Sequence, residues 1–139
     1  MIGQTTVQPV YSTKGRLIRN TLRADGVFCG LVGMSAVAAA ASLATLMGIP
    51  APMALVALGI VCMVYATMLF ALAAREQISR WAAITPFVLN ILWVVDSVIV
   101  LAFGLLPLTT AGFWIVVILA DIAAVFAIAQ FIGIRRMLQ

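Results

Sequence analysis

Four long apolar runs separated by short breaks dominate the chain. The first covers about residues 25–47 and stops at Gly48-Ile49-Pro50-Ala51-Pro52. Neither proline there can donate a backbone hydrogen bond, and each restricts the residue before it. The second covers about 53–74 and ends in Ala74-Arg75-Glu76-Gln77-Ile78-Ser79-Arg80, the only charged connection between runs. The third covers about 81–106 and ends at the uncharged turn Leu106-Pro107-Leu108-Thr109-Thr110-Ala111-Gly112. The fourth covers about 113–134, and Arg135-Arg136-Met137-Leu138-Gln139 closes the chain. A helix needs about 20 apolar residues to cross a bilayer. The pattern therefore predicts an all-α fold, a four-helix transmembrane bundle of two antiparallel hairpins.

Before the first run the rule changes. Residues 1–13 are polar with one proline and read as a tail. In residues 14–24, Arg16, Arg19, Asn20 and Arg23 fall on one helical face and Leu17, Ile18 and Leu22 on another. Residues 1–24 thus form a polar tail and a basic amphipathic turn. Lys14, Arg16, Arg19 and Arg23 are candidate contacts for anionic lipid, or simply the anchor of helix one. A basic start followed by an apolar run with small residues also mimics a signal peptide. The run is about 22 residues, longer than a typical signal core, and reads instead as a spanning helix.

Composition agrees. Of 139 residues, 65% are hydrophobic and 9% charged, against about 45–50% and about 25% in soluble domains. This excludes a soluble globular enzyme and a disordered chain. Histidine is absent, which removes bis-histidine haem, the facial triad of non-haem iron, His-ligated zinc and His-based acid–base catalysis. Cys29 and Cys62 lie in apolar runs, not in a CxxC pair, and read as small hydrophobes. No GxGxxG, Walker loop, GxSxG or HExxH occurs. The expectation is a non-catalytic protein with no cofactor, no metal and no nucleic-acid partner.

The charges set orientation. Lys14, Arg16, Arg19 and Arg23 precede the first run, Arg75 and Arg80 lie between the second and third, and Arg135 and Arg136 follow the fourth. All eight basic residues fall at one end. The positive-inside rule makes that end cytoplasmic, so both termini are expected there, including the basic end 135–139. A bacterial cytoplasmic (inner) membrane is the expected location. Trp81 and Trp114 sit at the two boundaries and fit interfacial aromatic belts.

Lipid tails are as apolar as leucine, so helices in a membrane associate through small residues and buried polar contacts. Gly26 and Gly30 form a GxxxG continued by Gly33 and an alanine run, a face open either to the second run or to another copy. Deep carboxylates cost roughly 2.5–3.5 kcal/mol each at a helix centre. Asp96 and Asp121 each lie about 16 Å from the turn that joins the last two runs, at ~1.5 Å rise per residue. They are expected to face each other near the bilayer middle. Asn90, Trp93 and Ser97 share their arc, and Gln130 lies nearer the cytoplasm. This polar seam reads either as a proton or cation site or as hydrogen-bonded glue between helices. Asp25, beside Arg23 at the expected start of helix one, reads as a carboxylate favoured by the helix dipole.

Leu22-Arg23-Ala24-Asp25-Gly26-Val27-Phe28, Leu92-Trp93-Val94 with Ser97, and Leu108-Thr109-Thr110-Ala111-Gly112 resemble a group of small uncharacterised bacterial four-helix integral membrane proteins. Their first motif is of the type Leu-Arg-Ala-Asn-Ala-x-Phe; here Asp25 stands where asparagine is usual. The resemblance covers about residues 20–134 and implies a four-helix bundle and no activity. Small multidrug-resistance transporters match only in size and helix number, because this chain lacks the glutamate in the middle of their first helix. Two roles follow as expectations. The first is an accessory or assembly subunit of a membrane complex, or a bundle binding a hydrophobic ligand. The alternative is a small proton- or cation-coupled transporter using Asp96 and Asp121. Membrane lipids are expected partners, with other integral membrane proteins or further copies of the chain.

Overall fold

The computed structural model describes residues 13–139, with side chains from residue 15. The polar tail of residues 1–12 and the Lys14 side chain lie outside the described residues. The described chain is all-helical: α1 (Thr13–Ala38), α2 (Ala40–Met47), α3 (Pro52–Ala74), α4 (Arg80–Phe103) and α5 (Thr110–Met137). Four segments are long and apolar enough to cross a membrane: Gly15–Ala38, Pro52–Ala74, Arg80–Phe103 and Thr110–Met137. The chain is a multi-pass membrane protein.

α4 ends three residues before the expected 106, α5 extends three residues beyond each expected end, and two boundaries in the first run differ more. The first run is divided at Ala39, whose φ of −118° and ψ of 28° interrupt the helix between α1 and α2. More consequentially, α1 starts at Thr13 rather than near residue 25. The basic turn is therefore the first part of the spanning helix. No proline interrupts residues 13–25, and Ile18 and Leu22 continue the buried face inward.

The helices form a horseshoe in the order α3, α1, α5, α4. α3 packs along α1, α1 against α5, and α5 against α4, while α3 and α4 scarcely touch. Small residues set the closest seam. A Cβ at Gly33 would meet the Gly59 carbonyl oxygen at 2.7 Å, and one at Gly59 would meet the Gly33 oxygen at 2.7 Å. Gly26 faces the Phe70 ring and Gly30 faces Ala66. Gly26, Gly30 and Gly33 of α1 thus serve the contact with α3 inside the chain. Outward, Val27, Leu31 and Met34 present an apolar stripe at helical spacing, as a lipid-facing surface requires.

The two ends close differently. At the basic end, Ile18, Leu22, Leu69, Ala73, Ala83 and Ile134 form a buried cluster contributed by α1, α3, α4 and α5. Arg19 donates to the carbonyls of Ala73 and Glu76 at the end of α3, where a cation complements the helix dipole and satisfies orphan acceptors. At the other end, Thr109 caps α5 by accepting from Gly112 N (3.0 Å), and its own hydroxyl donates to Leu46 O. Thr109 N also donates to Met47 O at 3.0 Å. Gly48, at φ 79°, makes the left-handed turn that brings the end of α2 there. Most isolated hydroxyls inside the spans donate back to the carbonyl four residues earlier, as at Thr21, Thr67, Thr85 and Ser97. They therefore bring no unpaired polar group into the bilayer.

Candidate functional site

The buried polar groups converge on Asp25. Counting along α1, Ile18, Leu22, Asp25, Cys29 and Gly33 recur at spacings of three and four, so Asp25 points inward with the apolar face. Its residue is 1% exposed. Asn90 Nδ2 of α4 donates to Asp25 Oδ2 at 2.8 Å, and Gln130 Nε2 of α5 donates to the same oxygen at 2.9 Å. Asn90 Nδ2 also donates to Gln130 Oε1 at 3.2 Å. With its oxygen so occupied, the Gln130 amide must turn its NH₂ toward the carboxylate. From α3, the Tyr65 hydroxyl lies 3.4 Å from both Asp25 Oδ2 and the Pro86 carbonyl of α4. Cys29 Sγ donates to Asp25 Oδ1 at 3.4 Å. One carboxylate thus ties together four spanning helices, and Tyr65 reaches across the otherwise open α3–α4 side.

Depth follows from the helices. Asn90 lies ten positions beyond Arg80 at the start of α4, and Tyr65 ten before Arg75, just past the end of α3. At ~1.5 Å per residue this is about 15 Å from the basic end on α3 and α4, and Gln130 lies about 7.5 Å before Arg135 on α5, so the node sits in the basic-end half of a hydrocarbon layer of about 30 Å. A carboxylate there is costly unless it is hydrogen-bonded. Every partner named above is a neutral donor. No buried polar side-chain atom is left without a hydrogen bond among the described residues.

Beside the node lies a cavity of about 200 Å³. Asp25 and Asn90 supply its polar wall. Phe28 of α1, Tyr65 of α3, Trp93 of α4 and Phe126 of α5 supply aromatic walls, with Cys29 and Cys62 between them. Val61 of α3 and Leu89 of α4 also line it and are 63% and 40% exposed. They stand on the two edges of the horseshoe that do not pack together, so the cavity opens sideways toward lipid.

The residues singled out from sequence are distributed unevenly. Asn90 and Gln130 meet, and Trp93 lines the cavity. Ser97 is buried but donates to Trp93 O of its own helix at 2.8 Å. Asp96 and Asp121 are exposed and take no part in the node. Each lies one position, about 100° around the helix, from a buried small residue, Ser97 or Ala120, that faces inward in its place. The expected face-to-face pair is therefore replaced by Asp25, whose dipole role is corrected with it: Asp25 lies near the middle of α1, not in its first turn. Of the candidate lipid contacts, Arg16 and Arg23 are exposed, whereas Arg19 is engaged by α3. Among the described residues, no group of three or more His, Cys, Asp or Glu side chains is placed to hold a metal ion. No protein-family model matches the chain, and no curated protein and no solved structure matches it.

Proposed function

We propose that the protein binds a small hydrophobic ligand that enters from the bilayer between α3 and α4. The observation that carries this reading is the aromatic-walled cavity of about 200 Å³ open on the unpacked side of the horseshoe. An apolar cavity of about 150 Å³ in a soluble protein stays dry and takes up benzene, so a void of this size accommodates a ring or the head of a longer molecule. The role is non-catalytic, and it is set in a bacterial cytoplasmic membrane with the basic end inward. The resemblance to small four-helix membrane proteins is compatible with it. A transporter built on Asp96 and Asp121 has less support, because the two carboxylates do not line the cavity.

The test uses Trp93 as the reporter. In a Trp81→Phe/Trp114→Phe background, bromobenzene dissolved in lipid nanodiscs should quench Trp93 saturably. Val61→Phe, which narrows the mouth, should leave only the linear quenching of a lipid-exposed indole. Linear quenching in both proteins would refute the reading.

The exposed carboxylates on α4 and α5 favour a second reading, an accessory subunit whose partner covers them within the membrane. A stoichiometric heteromeric complex in mild detergent, lost in Asp96→Asn/Asp121→Asn, would support it. A complex that survives the double substitution, or no complex at all, would not.

A further inference from the structure

We infer that the ligand is a cationic amphiphile, an alkylammonium whose positive head sits against Asp25 while its tail leaves between α3 and α4. This inference rests on the ligand-binding reading above and names the class of molecule. Four observations converge on it.

The first is charge. Asp25 is the acidic residue in the cavity wall, and its hydrogen-bond partners Asn90, Gln130, Tyr65 and Cys29 are all neutral. The arginines nearest in sequence are turned elsewhere: Arg19 is held by the end of α3 and Arg23 is exposed. Neutral donors offset part of the cost of a carboxylate in a low-dielectric place, and a counter-charge offsets more of it. A ligand cation supplies that counter-charge.

The second is the unequal use of the two carboxylate oxygens. Oδ2 receives both amides and lies within reach of the Tyr65 hydroxyl, whereas Oδ1 has only the Cys29 thiol at 3.4 Å. A thiol is a weak donor. Oδ1 therefore retains acceptor capacity for an N–H of the ligand.

The third is the wall. Phe28, Tyr65, Trp93 and Phe126 come from four different helices and surround the same void. Aromatic faces attract a cation, and more strongly where water is excluded. A neutral apolar ligand would be served equally by leucine and valine.

The fourth is the exit. The cavity has room for a head group and little more. Its open side between Val61 and Leu89 leads to the hydrocarbon layer, where a flexible chain is at home.

The decisive comparison keeps the tail and changes the head. Trp93-only protein in zwitterionic nanodiscs is titrated with 2-bromo-4-decylbenzylammonium and, separately, with 2-bromo-4-decylbenzyl alcohol, whose bromine sits beside the head rather than at the end of the tail, each expressed as mole fraction in the bilayer. The expected result is saturable quenching by both, with half-saturation about tenfold lower for the ammonium, the scale of one charge-assisted hydrogen bond with cation–π contact. Asp25→Asn should raise the ammonium's half-saturation to that of the alcohol. Phe126→Leu, which removes one aromatic wall but none of the hydrogen bonds to Asp25, should raise it about threefold and raise the alcohol's by less. Because the comparison of the two heads leaves Asp25 in place, a misfolded Asp25→Asn does not remove the test. Equal half-saturation of ammonium and alcohol with Asp25 in place overturns the cationic head while leaving the hydrophobic-ligand reading intact. Linear, unsaturable quenching by both overturns the ligand reading itself.

Discussion

Asn90 is the residue whose removal reports most cleanly on the carboxylate node. Its Nδ2 donates twice, to Asp25 Oδ2 at 2.8 Å and to Gln130 Oε1 at 3.2 Å, and the residue is 6% exposed. Asn90→Leu keeps the side chain close in size and removes both bonds. The bond to the carboxylate is worth about 1.5–3 kcal/mol, and leaving the Gln130 oxygen unpartnered adds about 1 kcal/mol or more. Neutral bonds between membrane helices average only ~0.6 kcal/mol, because the separated helices also find partners. The Gln130 part is therefore the smaller, and the total is about 2–4 kcal/mol. Most of this cost depends on Asp25. In an Asp25→Leu background the same substitution should cost less than about 1 kcal/mol, giving a coupling of about 2 kcal/mol in a double-mutant cycle. The assay is reversible unfolding of the bundle in mixed micelles, followed by tryptophan fluorescence and helicity. A loss below about 0.5 kcal/mol for Asn90→Leu, or the same loss with and without Asp25, would refute the argument that the carboxylate ties the helices together.

Other expectations use the same assay. Gly33→Val should cost about 1–3 kcal/mol, because even a Cβ there meets the Gly59 carbonyl oxygen at 2.7 Å and the backbone must give way. An unchanged midpoint would mean that α1 and α3 do not cross there. Thr109→Val should cost about 1 kcal/mol, since it removes the cap on Gly112 N and the bond to Leu46 O. Thr109→Ser, which keeps both, should restore most of it. Asp96→Asn and Asp121→Asn should leave stability within about 0.5 kcal/mol of wild type or raise it, because both residues are exposed. A large loss from either would place them in an intramolecular contact.

The architecture was legible because proline-bearing breaks and charged ends interrupt an otherwise continuous apolar pattern. The glycine face on α1 was legible as a packing surface, but the sequence left its partner open between α3 and another copy. Asn90 and Gln130 were legible as members of one polar seam, with Gln130 nearer the cytoplasm, but not as groups that bond to each other and to Asp25. Asp25 was misread for a physical reason. Arg16, Arg19 and Arg23 suggested that the helix begins after them, yet a spanning helix starts earlier because Arg16 and Arg23 point outward and Arg19 is taken up by the carbonyls at the end of α3. Spacings of three from Leu22 and seven from Ile18 put Asp25 on the inward face, and that signal was present in the sequence. Asp96 and Asp121 matched in depth, but depth does not fix azimuth. The buried Ser97 and Ala120, one position away from each, show that the carboxylates point out. Tyr65 and the cavity carry no sequence signal of their own, since they arise from the failure of α3 and α4 to pack.

The most direct test of the site is a solid-state NMR measurement in lipid bilayers. Carbon–nitrogen dipolar recoupling is recorded between aspartate carboxyl carbons and the side-chain nitrogens of asparagine and glutamine, with Asp25→Asn and Asp96→Asn/Asp121→Asn proteins to assign the signals. Strong dephasing should survive the double substitution and vanish in Asp25→Asn, because both amide nitrogens lie within 2.9 Å of Asp25 Oδ2. Dephasing that disappears with Asp96 and Asp121 instead, or none at all, would contradict a four-helix node built on Asp25.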